Sequence, residues 1–252
     1  MNKSIKWAAE LSHVREVTLL GTADLVFWKD WLMEEDLRPS EHDGQAQLLL
    51  VAADSKYMGV GFRELSFSVL VSPKEVGAEK DAVYLVRAFN SSRLFTFCEQ
   101  VFFSTPYCHG DVRISASFPF AVHVIKNGEV VFEAQMPADA SGFERQTSHH
   151  GEDGWEGPIF LPGTSRRKGH KGKLFFAQLR GDTKTYPFLP SKDSMTIKPS
   201  PDCDILQTLT ESHFVAKEWV VRADATHARS KTYKRANVLP VVTKAEAAPV
   251  AR

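Results

Sequence analysis

Residues 62–71 read Phe-Arg-Glu-Leu-Ser-Phe-Ser-Val-Leu-Val, a stretch in which polar and apolar side chains alternate. Four apolar side chains fall on one face of an extended chain and three polar ones on the other: Leu65, Phe67, Val69 and Val71 against Glu64, Ser66 and Ser68. A period of two predicts a β-strand with one buried face. The preceding run, residues 45–53, is almost continuously apolar, and it predicts a strand buried on both faces. These two strands indicate that a sheet is the framework of the fold.

The same patterns predict further elements on both sides of this pair. Strands are expected at 17–27, 83–89, 111–117, 120–126, 129–135, 173–179, 185–189, 195–198 and 214–223, and helices at 29–37, 90–103 and 201–212. Asn127-Gly128 supplies the two residues that a tight hairpin needs. Residues 137–157 and 165–173 are polar and predict loops. Many strands with only two or three helices predict an α+β fold that is rich in β-structure.

The chain shows no internal repeat and no linker that would divide it. We therefore expect one domain over residues 1–235. Residues 236–252 are rich in small residues, contain two prolines and show no periodicity. This composition predicts a flexible C-terminal tail.

The charge of the chain is balanced, with 31 basic and 31 acidic residues. A balanced charge predicts no nucleic-acid partner and no binding to a membrane surface. Two basic segments, 166–173 and 222–235, contain few interleaved aromatic residues, so we interpret them as solvated surface rather than as a stacking platform for nucleic acid.

The cysteines and the apolar runs indicate the compartment. The three cysteines are an odd number without the spacing of a zinc or disulfide framework, and they predict free thiols in a reducing compartment. No apolar run near residue 1 resembles a signal peptide, and the longest apolar stretch, Leu48–Ala53, is far too short to span a membrane. We therefore expect a cytoplasmic protein.

Sequence motifs for metal, phosphate or covalent chemistry are missing. His149-His150 lies in a predicted loop without a third ligand at matched spacing, and the side chains of Cys108 and His109 diverge because they are neighbours in the chain. The sequence has no HExxH, CxxC, G-x-S-x-G or P-loop motif. We therefore expect neither a metal nor a cofactor.

Several stretches nevertheless resemble the acetoacetate decarboxylase-like superfamily. They are residues 52–69 (Ala-Ala-Asp-Ser-Lys-Tyr-Met-Gly-Val-Gly-Phe-Arg-Glu-Leu-Ser-Phe-Ser-Val), 83–89 (Val-Tyr-Leu-Val-Arg-Ala-Phe) before a helix, 101–114 with Pro-Tyr-Cys-His at 106–109, and 214–220 (Phe-Val-Ala-Lys-Glu-Trp-Val). The order of elements matches over about residues 13–225. This resemblance implies a closed, cone-like, mostly antiparallel sheet with a cavity inside.

The decarboxylase forms a Schiff base through a lysine whose pKa is lowered by a second lysine and an apolar pocket. An arginine and two glutamates line the same pocket. The resemblance places the arginine on Arg15 in His-Val-Arg-Glu and one glutamate on Glu64, whereas the other falls near Leu49 and is lost. The lysine pair is expected a few residues after Arg87, in Ala-Phe-Asn-Ser-Ser-Arg-Leu-Phe.

That stretch contains no lysine, and none occurs between Lys80 and Lys126. Arg93 cannot replace a lysine because a guanidinium stays protonated at any working pH. Lys56 and Lys217 are the only substitutes that the pattern suggests, and we expect both to be surface or structural residues. The sequence therefore predicts a branch of the superfamily without Schiff-base chemistry.

Three interpretations of the site stay open. Glu64 and Arg15 could form a structural ion pair, they could bind a small carboxylate or ketone, or they could catalyse a lyase or isomerase reaction on a keto acid with Glu64 as general acid or base. We take Glu64 and Arg15 as candidate catalytic residues and Arg87, Tyr107 and His109 as candidate substrate-binding residues. Whether the protein is an enzyme is left open, and a homo-oligomer is possible.

Overall fold

The computed structural model describes residues 5–73, 82–137, 148–149, 154–163, 172–199 and 203–235. The strands are β1 (Trp7–Asp24), β2 (Leu37–Pro39), β3 (Glu41–His42), β4 (Gln45–Tyr57), β5 (Val60–Pro73), β6 (Ala82–Asn90), β7 (Tyr107–His109), β8 (Asp111–Ser115), β9 (Ala121–Lys126), β10 (Glu129–Gln135), β11 (Ser148–His149), β12 (Gly154–Phe160), β13 (Lys173–Gly181), β14 (Lys184–Pro187), β15 (Ser194–Ile197), β16 (Val215–Ser230) and β17 (Tyr233–Lys234). Three α-helices are described: α1 (Leu25–Leu32), α2 (Arg93–Cys98) and α3 (Asp204–Glu211).

Seven of these strands close into a barrel. They are hydrogen-bonded in the order β16-β1-β4-β5-β6-β12-β13, and β13 pairs again with β16. Every neighbouring pair is antiparallel except β6 and β12, which are parallel. The predicted α+β fold with a closed, mostly antiparallel sheet in a single domain is therefore confirmed.

A second sheet covers one side of the barrel. Its order is β15-β10-β9-β8. The predicted hairpin joins β9 to β10, and both turn residues have positive φ, 53° at Asn127 and 85° at Gly128. Phe67 of the barrel packs edge-on against Phe132 of this sheet, with ring centroids 6.0 Å apart. The main hydrophobic core therefore lies between the two sheets.

The alternation in β5 separates this core from the barrel interior. Leu65 and Phe67 are buried in the core, whereas Glu64 and Ser66 line the inside of the barrel. In β4, Leu48 and Leu50 face the core while Leu49 and Val51 face inward. The run 45–53 is thus enclosed on both faces, as its apolar sequence predicts.

The first helix begins earlier than its sequence predicts. The sequence predicts a helix over 29–37, but α1 begins at Leu25. Asp24 caps this helix, and its carboxylate accepts a hydrogen bond from Phe27 N at 2.8 Å. A 3₁₀ turn over Met33–Glu35 follows, and Leu37 already belongs to β2. The helix predicted at 90–103 begins later, at Arg93, because Ser92 caps it. A π-turn over Glu99–Phe103 continues α2 to the predicted end.

Some other predicted boundaries also shift. The strand expected at 17–27 is longer at its start and ends at Asp24, and the helix expected at 201–212 covers Asp204–Glu211. The loop expected at 137–157 is wrong at its end, where β12 begins at Gly154. Most of the basic loop 165–173 and all of the expected tail 236–252 lie outside the described residues. None of the described helices has the length and apolarity that a membrane-spanning helix requires.

Two close contacts hold parts of the chain that are distant in sequence, one between β1 and β16 and one at the last described residue. At Gly21 an added Cβ would lie 2.5 Å from the Phe214 ring and would also meet Val215 O, so β1 and β16 approach more closely than a side chain allows. At the other contact, the buried Arg235 donates to Glu35 O at 2.6 Å and to Glu35 Oε2 at 3.0 Å. The hydroxyl of Tyr84 in β6 also donates to Glu35, at 3.2 Å. Glu35 therefore connects Arg235, the last described residue, to the barrel.

Candidate functional site

The barrel encloses a cavity of about 690 Å³. Its wall is formed by inward-facing residues of β1, β4, β5, β6, β12, β13 and β16, together with the helical segment 95–103. Most of these side chains are leucine, valine and aromatic residues, and the charged ones gather in one region. A mostly apolar pocket with a few convergent polar groups is the usual form of a small-molecule site.

Glu16 of β1 is the most deeply buried acid of the cavity wall, with no exposed surface. Its carboxylate accepts bonds from Arg222 Nη1 at 2.5 Å, His227 Nε2 at 2.8 Å and Thr18 Oγ1 at 3.0 Å. Burial alone would raise the pKa of Glu16, but the bond from His227 and the charge of Arg222 outweigh it and lower the pKa to about 2. Glu16 is therefore a carboxylate at any ordinary pH.

The ionised Glu16 fixes the tautomer of His227. A carboxylate only accepts hydrogen bonds, so Nε2 of His227, 2.8 Å from Glu16, must carry a proton. In the neutral imidazole the lone pair is then on Nδ1. The cavity wall thus contains an imidazole oriented by an acid, the arrangement that proton-transfer sites use.

Glu64 of β5 is a second acid of the cavity wall, and its pKa is raised. Burial raises its pKa, and the nearby charge of Glu99 adds to this effect, although a bond from the Tyr107 hydroxyl at 3.0 Å acts in the opposite direction. Burial and the neighbouring Glu64 raise the pKa of Tyr107 in turn. This pair places a neutral hydroxyl and a carboxyl of raised pKa in contact inside the cavity.

A third acid, Glu99, is paired with Arg229. Nη1 of Arg229 donates to both carboxylate oxygens, at 2.6 and 2.7 Å, and Thr105 donates to one of them at 2.6 Å. The guanidinium lies between the rings of Phe103 and Phe175, its central carbon 4.4 and 4.2 Å from their centroids. Contact with two ring faces offsets part of the loss of hydration of this cation. Its Nε and Nη2 are buried without a hydrogen-bond partner.

No lysine is found among the cavity-lining residues that the structure describes. Lys56 and Lys217 are both exposed, and Lys217 lies on the outer face of β16 beside the buried Trp219. Neither one replaces the amine of the decarboxylase within the described part of the cavity. Across the same part of the chain, no group of three or more His, Cys, Asp and Glu side chains could hold a metal ion, and His150 lies outside it.

The expectation that Arg15 faces the cavity is wrong. Its side chain is 62% exposed on the outside of the barrel, where it pairs with Asp54. The reason is the alternation of β1: Arg15 shares the face of the core residues Val17 and Leu19, and β1 pairs with β4 without a register shift from Arg15 to Asp24. Glu16, the next residue, lies on the opposite face with Thr18 and Leu20 and lines the cavity.

The other candidates fall in different places. Tyr107 lines the cavity and contacts Glu64 as described, so two of the predicted site residues come together. Arg87 does not line the cavity, since it pairs on the outside of β6 with Asp204 at the start of α3. His109 is exposed and is also absent from the cavity wall. Leu49, near which the resemblance places the lost glutamate, contributes an apolar side chain to the wall.

Five polar residues of the cavity wall were not predicted from the sequence. They are Glu16, Glu99, Arg222, His227 and Arg229. A signal existed for Glu16, because it alternates with the core residues Val17 and Leu19 and so belongs to the opposite face. No comparable signal marked His227 and Arg229. They reach the cavity because this part of β16 pairs with β1 on one side and with β13 on the other, where the barrel closes: His227 lies opposite Leu11 and Leu179, and Arg229 lies opposite Ala9 and Ala177.

Comparisons with known proteins extend the fold assignment. No protein-family model and no curated protein matches this sequence. Among solved structures, the chain resembles an acetoacetate decarboxylase from Legionella pneumophila with a TM-score of 0.58 and 12% identity, covering 90% of this chain and 89% of the other. An acetoacetate decarboxylase-like enzyme from Sphingomonas wittichii RW1 gives 0.56 and 12%, with coverages of 89% and 92%.

The enduracididine biosynthesis enzyme MppR, in a structure complexed with pyruvate, gives a TM-score of 0.59 at 12% identity and coverages of 88% and 87%. These similarities extend over almost the full length of both chains. At 12% identity they concern the arrangement of the backbone and not individual side chains. The protein therefore has the fold of the acetoacetate decarboxylase-like proteins.

Proposed function

We propose that this protein binds an organic acid or ketone in the barrel cavity and does so without Schiff-base chemistry. The observation that carries the proposal is a charged cluster in a cavity whose wall is mostly apolar; its members are Glu16, Arg222, His227, Glu64 and Tyr107. Buried polar groups that converge on a cavity are suited to fixing one polar group of a ligand.

The hydrogen-bonding capacity of the cluster fits a carbonyl or carboxylate oxygen. Arg222 uses Nη1 for Glu16 and Nε for Thr183, at 2.9 Å, so its Nη2 is available to an oxygen acceptor of a ligand. Glu64, in the protonated form that its raised pKa favours, is a second donor. Both groups line the cavity, so the oxygens of a carboxylate or keto acid would meet one cation and one neutral acid there.

The binding experiment compares cavity and outside variants against a panel of small carboxylates and ketones in thermal-shift and calorimetric measurements. We expect Arg222→Lys to weaken binding of the best ligand tenfold or more, because an ammonium lacks the planar guanidinium fork that reaches Glu16, Thr183 and a ligand oxygen at the same time. Arg15→Lys is the matched control on the outside of the barrel and should bind as the wild type does. Retention of full affinity in both Arg222→Lys and Glu64→Gln would contradict the proposal.

Borohydride trapping tests the chemical part of the proposal. Incubation with a keto acid and borohydride should give no covalent adduct by mass spectrometry, since a Schiff base needs a lysine in the cavity. An adduct on any lysine would overturn this part and leave ligand binding in place.

A second function, as a lyase or isomerase acting on a keto acid, is favoured by the raised pKa of Glu64. In such a reaction Glu64 donates a proton to the carbonyl oxygen while Nδ1 of His227 accepts one from the adjacent carbon, which gives an enol. The test is exchange of carbon-bound hydrogen of 2-oxobutanoate with deuterated water, followed by proton NMR. Glu64→Gln should slow the exchange about 100-fold or more and Arg15→Lys should not. Equal rates in the wild type and Glu64→Gln would refute this second function.

A further inference from the structure

The cavity is much larger than a small keto acid requires. At about 30 Å³ for each water-sized group, a cavity of about 690 Å³ holds roughly 20 non-hydrogen atoms. Pyruvate has six such atoms and would leave most of the space empty. Cavities of several hundred Å³ are typical of sites that enclose a larger organic molecule.

The polar groups of the cavity are gathered at one end of it. Glu64 interacts electrostatically with Glu99, His227 and Arg229, so these groups lie near one another. Lining residues at this end are also exposed, with Tyr57 at 36% and Phe102 at 70%. The charged cluster, which shares Glu64 and His227 with this group, therefore lies next to the opening of the cavity to solvent.

The interior beyond the cluster is apolar. Along β5 the wall continues from Glu64 to Leu70, a distance of about 20 Å at 3.3 Å per residue. Leu70 pairs in register with Val83 of β6, and Leu20 and Leu49 pair with each other on β1 and β4. All four of these aliphatic residues line the cavity.

The hydroxyl groups in this region change little of that apolar character. Ser66 donates to the backbone oxygen of Val51, at 3.4 Å, and Thr18 donates to Glu16. Ser68 is the remaining hydroxyl on the inner wall. An inner wall of this kind favours hydrocarbon over water, since burying a methylene group is favourable and leaving such a surface wet is not.

We infer that the ligand of this cavity is an amphipathic carbonyl compound: a keto acid or ketone whose oxygen lies at the charged cluster and whose hydrocarbon chain of about eight or more carbons extends along β5 toward Leu70. This inference rests on the proposed function and specifies its ligand class. The polar end of the ligand stays near the opening, and the chain occupies the aliphatic interior.

The experiment is a calorimetric titration with straight-chain 2-oxo acids and the matching methyl ketones, from four to fourteen carbons. We expect each added methylene to lower Kd roughly fourfold until the chain fills the interior. Equal affinity at all lengths, or tighter binding of the short members, would overturn the inference and leave the proposed function standing. Failure of every member to bind would overturn the proposed function, and the inference with it.

Cavity-filling variants test where the chain lies. Leu70→Trp and, independently, Leu49→Phe should weaken binding of the twelve-carbon acid tenfold or more while the four-carbon acid is unaffected. Met33→Trp, which adds a ring at an exposed position outside the cavity, is the control. Circular dichroism verifies that each variant is folded. Unchanged affinity for the twelve-carbon acid in both folded cavity variants would show that the chain lies elsewhere.

Discussion

Replacing Glu16 by glutamine tests the charged cluster most directly. The carboxylate is completely buried, and its pKa falls from 4.5 to about 2 in the folded protein. At about 1.4 kcal/mol for each pKa unit, this shift corresponds to about 3 kcal/mol of folding free energy at neutral pH. Because the folded pKa is the lower one, this stabilisation is present above pH 4.5 and is lost as the pH falls toward 2. Glu16→Gln removes the charge that Arg222 and His227 require, so a loss of about 3 kcal/mol is expected.

The assay is urea unfolding followed by circular dichroism at several pH values between 7 and 3. The difference between wild type and Glu16→Gln should be largest at pH 7 and should shrink as the wild type loses its own contribution below pH 4.5. Glu10→Gln, an exposed change on the same strand, is the control and should stay within about 0.5 kcal/mol of the wild type. A loss under 1 kcal/mol at pH 7, or a loss that is the same at pH 7 and pH 3, would refute the reasoning.

Three further predictions concern stability and can be measured by the same unfolding experiment. Arg235→Ala should cost about 2–3 kcal/mol because it removes a buried cation and leaves the partly buried Glu35 carboxylate without its partner. The exposed Lys234→Ala should cost under about 0.5 kcal/mol, and similar losses in the two variants would contradict a stabilising Arg235–Glu35 pair. Gly21→Ala should cost about 1–3 kcal/mol of stability, because the added methyl group overpacks the contact between β1 and β16. Gly61→Ala is the control and should be close to neutral, since the nearest atom lies 4.0 Å from the added Cβ. A neutral Gly21→Ala would mean that β1 and β16 separate without cost. The raised pKa of Glu64 contributes stability that is complete below pH 4.5 and is lost as the pH rises through the raised pKa. Glu64→Gln should therefore reduce the fall in unfolding free energy with rising pH. An unchanged dependence of the unfolding free energy on pH would exclude Glu64 as its source.

Local patterns were reliable wherever one local rule decided the structure. The alternation in 62–71 located the core face of β5, and the apolar run 45–53 correctly predicted a strand covered on both sides. Asn127-Gly128 also formed the predicted hairpin turn, because a turn depends on a few neighbouring residues. Helix α1 was misplaced since the capping carboxylate of Asp24 overrode the helical pattern of 29–37.

The candidate site was only partly accessible to such rules. Glu64 and Tyr107 were found through the resemblance, and they do meet in the cavity. Arg15 was assigned to the cavity through the resemblance alone, whereas the alternation of β1 puts it on the face of Val17 and Leu19 and its neighbour Glu16 in the cavity.

The sequence by itself determined that the chain is a single β-rich domain and that Glu64 lies on the polar face of a half-buried strand. It did so because periodicity and turn chemistry act between residues that are close in the chain. Only the tertiary structure decided that this polar face encloses a cavity, and that Arg222 and His227 rather than Arg15 stand beside the buried acids. Barrel closure brings residue 16 together with residues 222 and 227, and pairing over such a separation depends on strand register, which a sequence pattern does not encode.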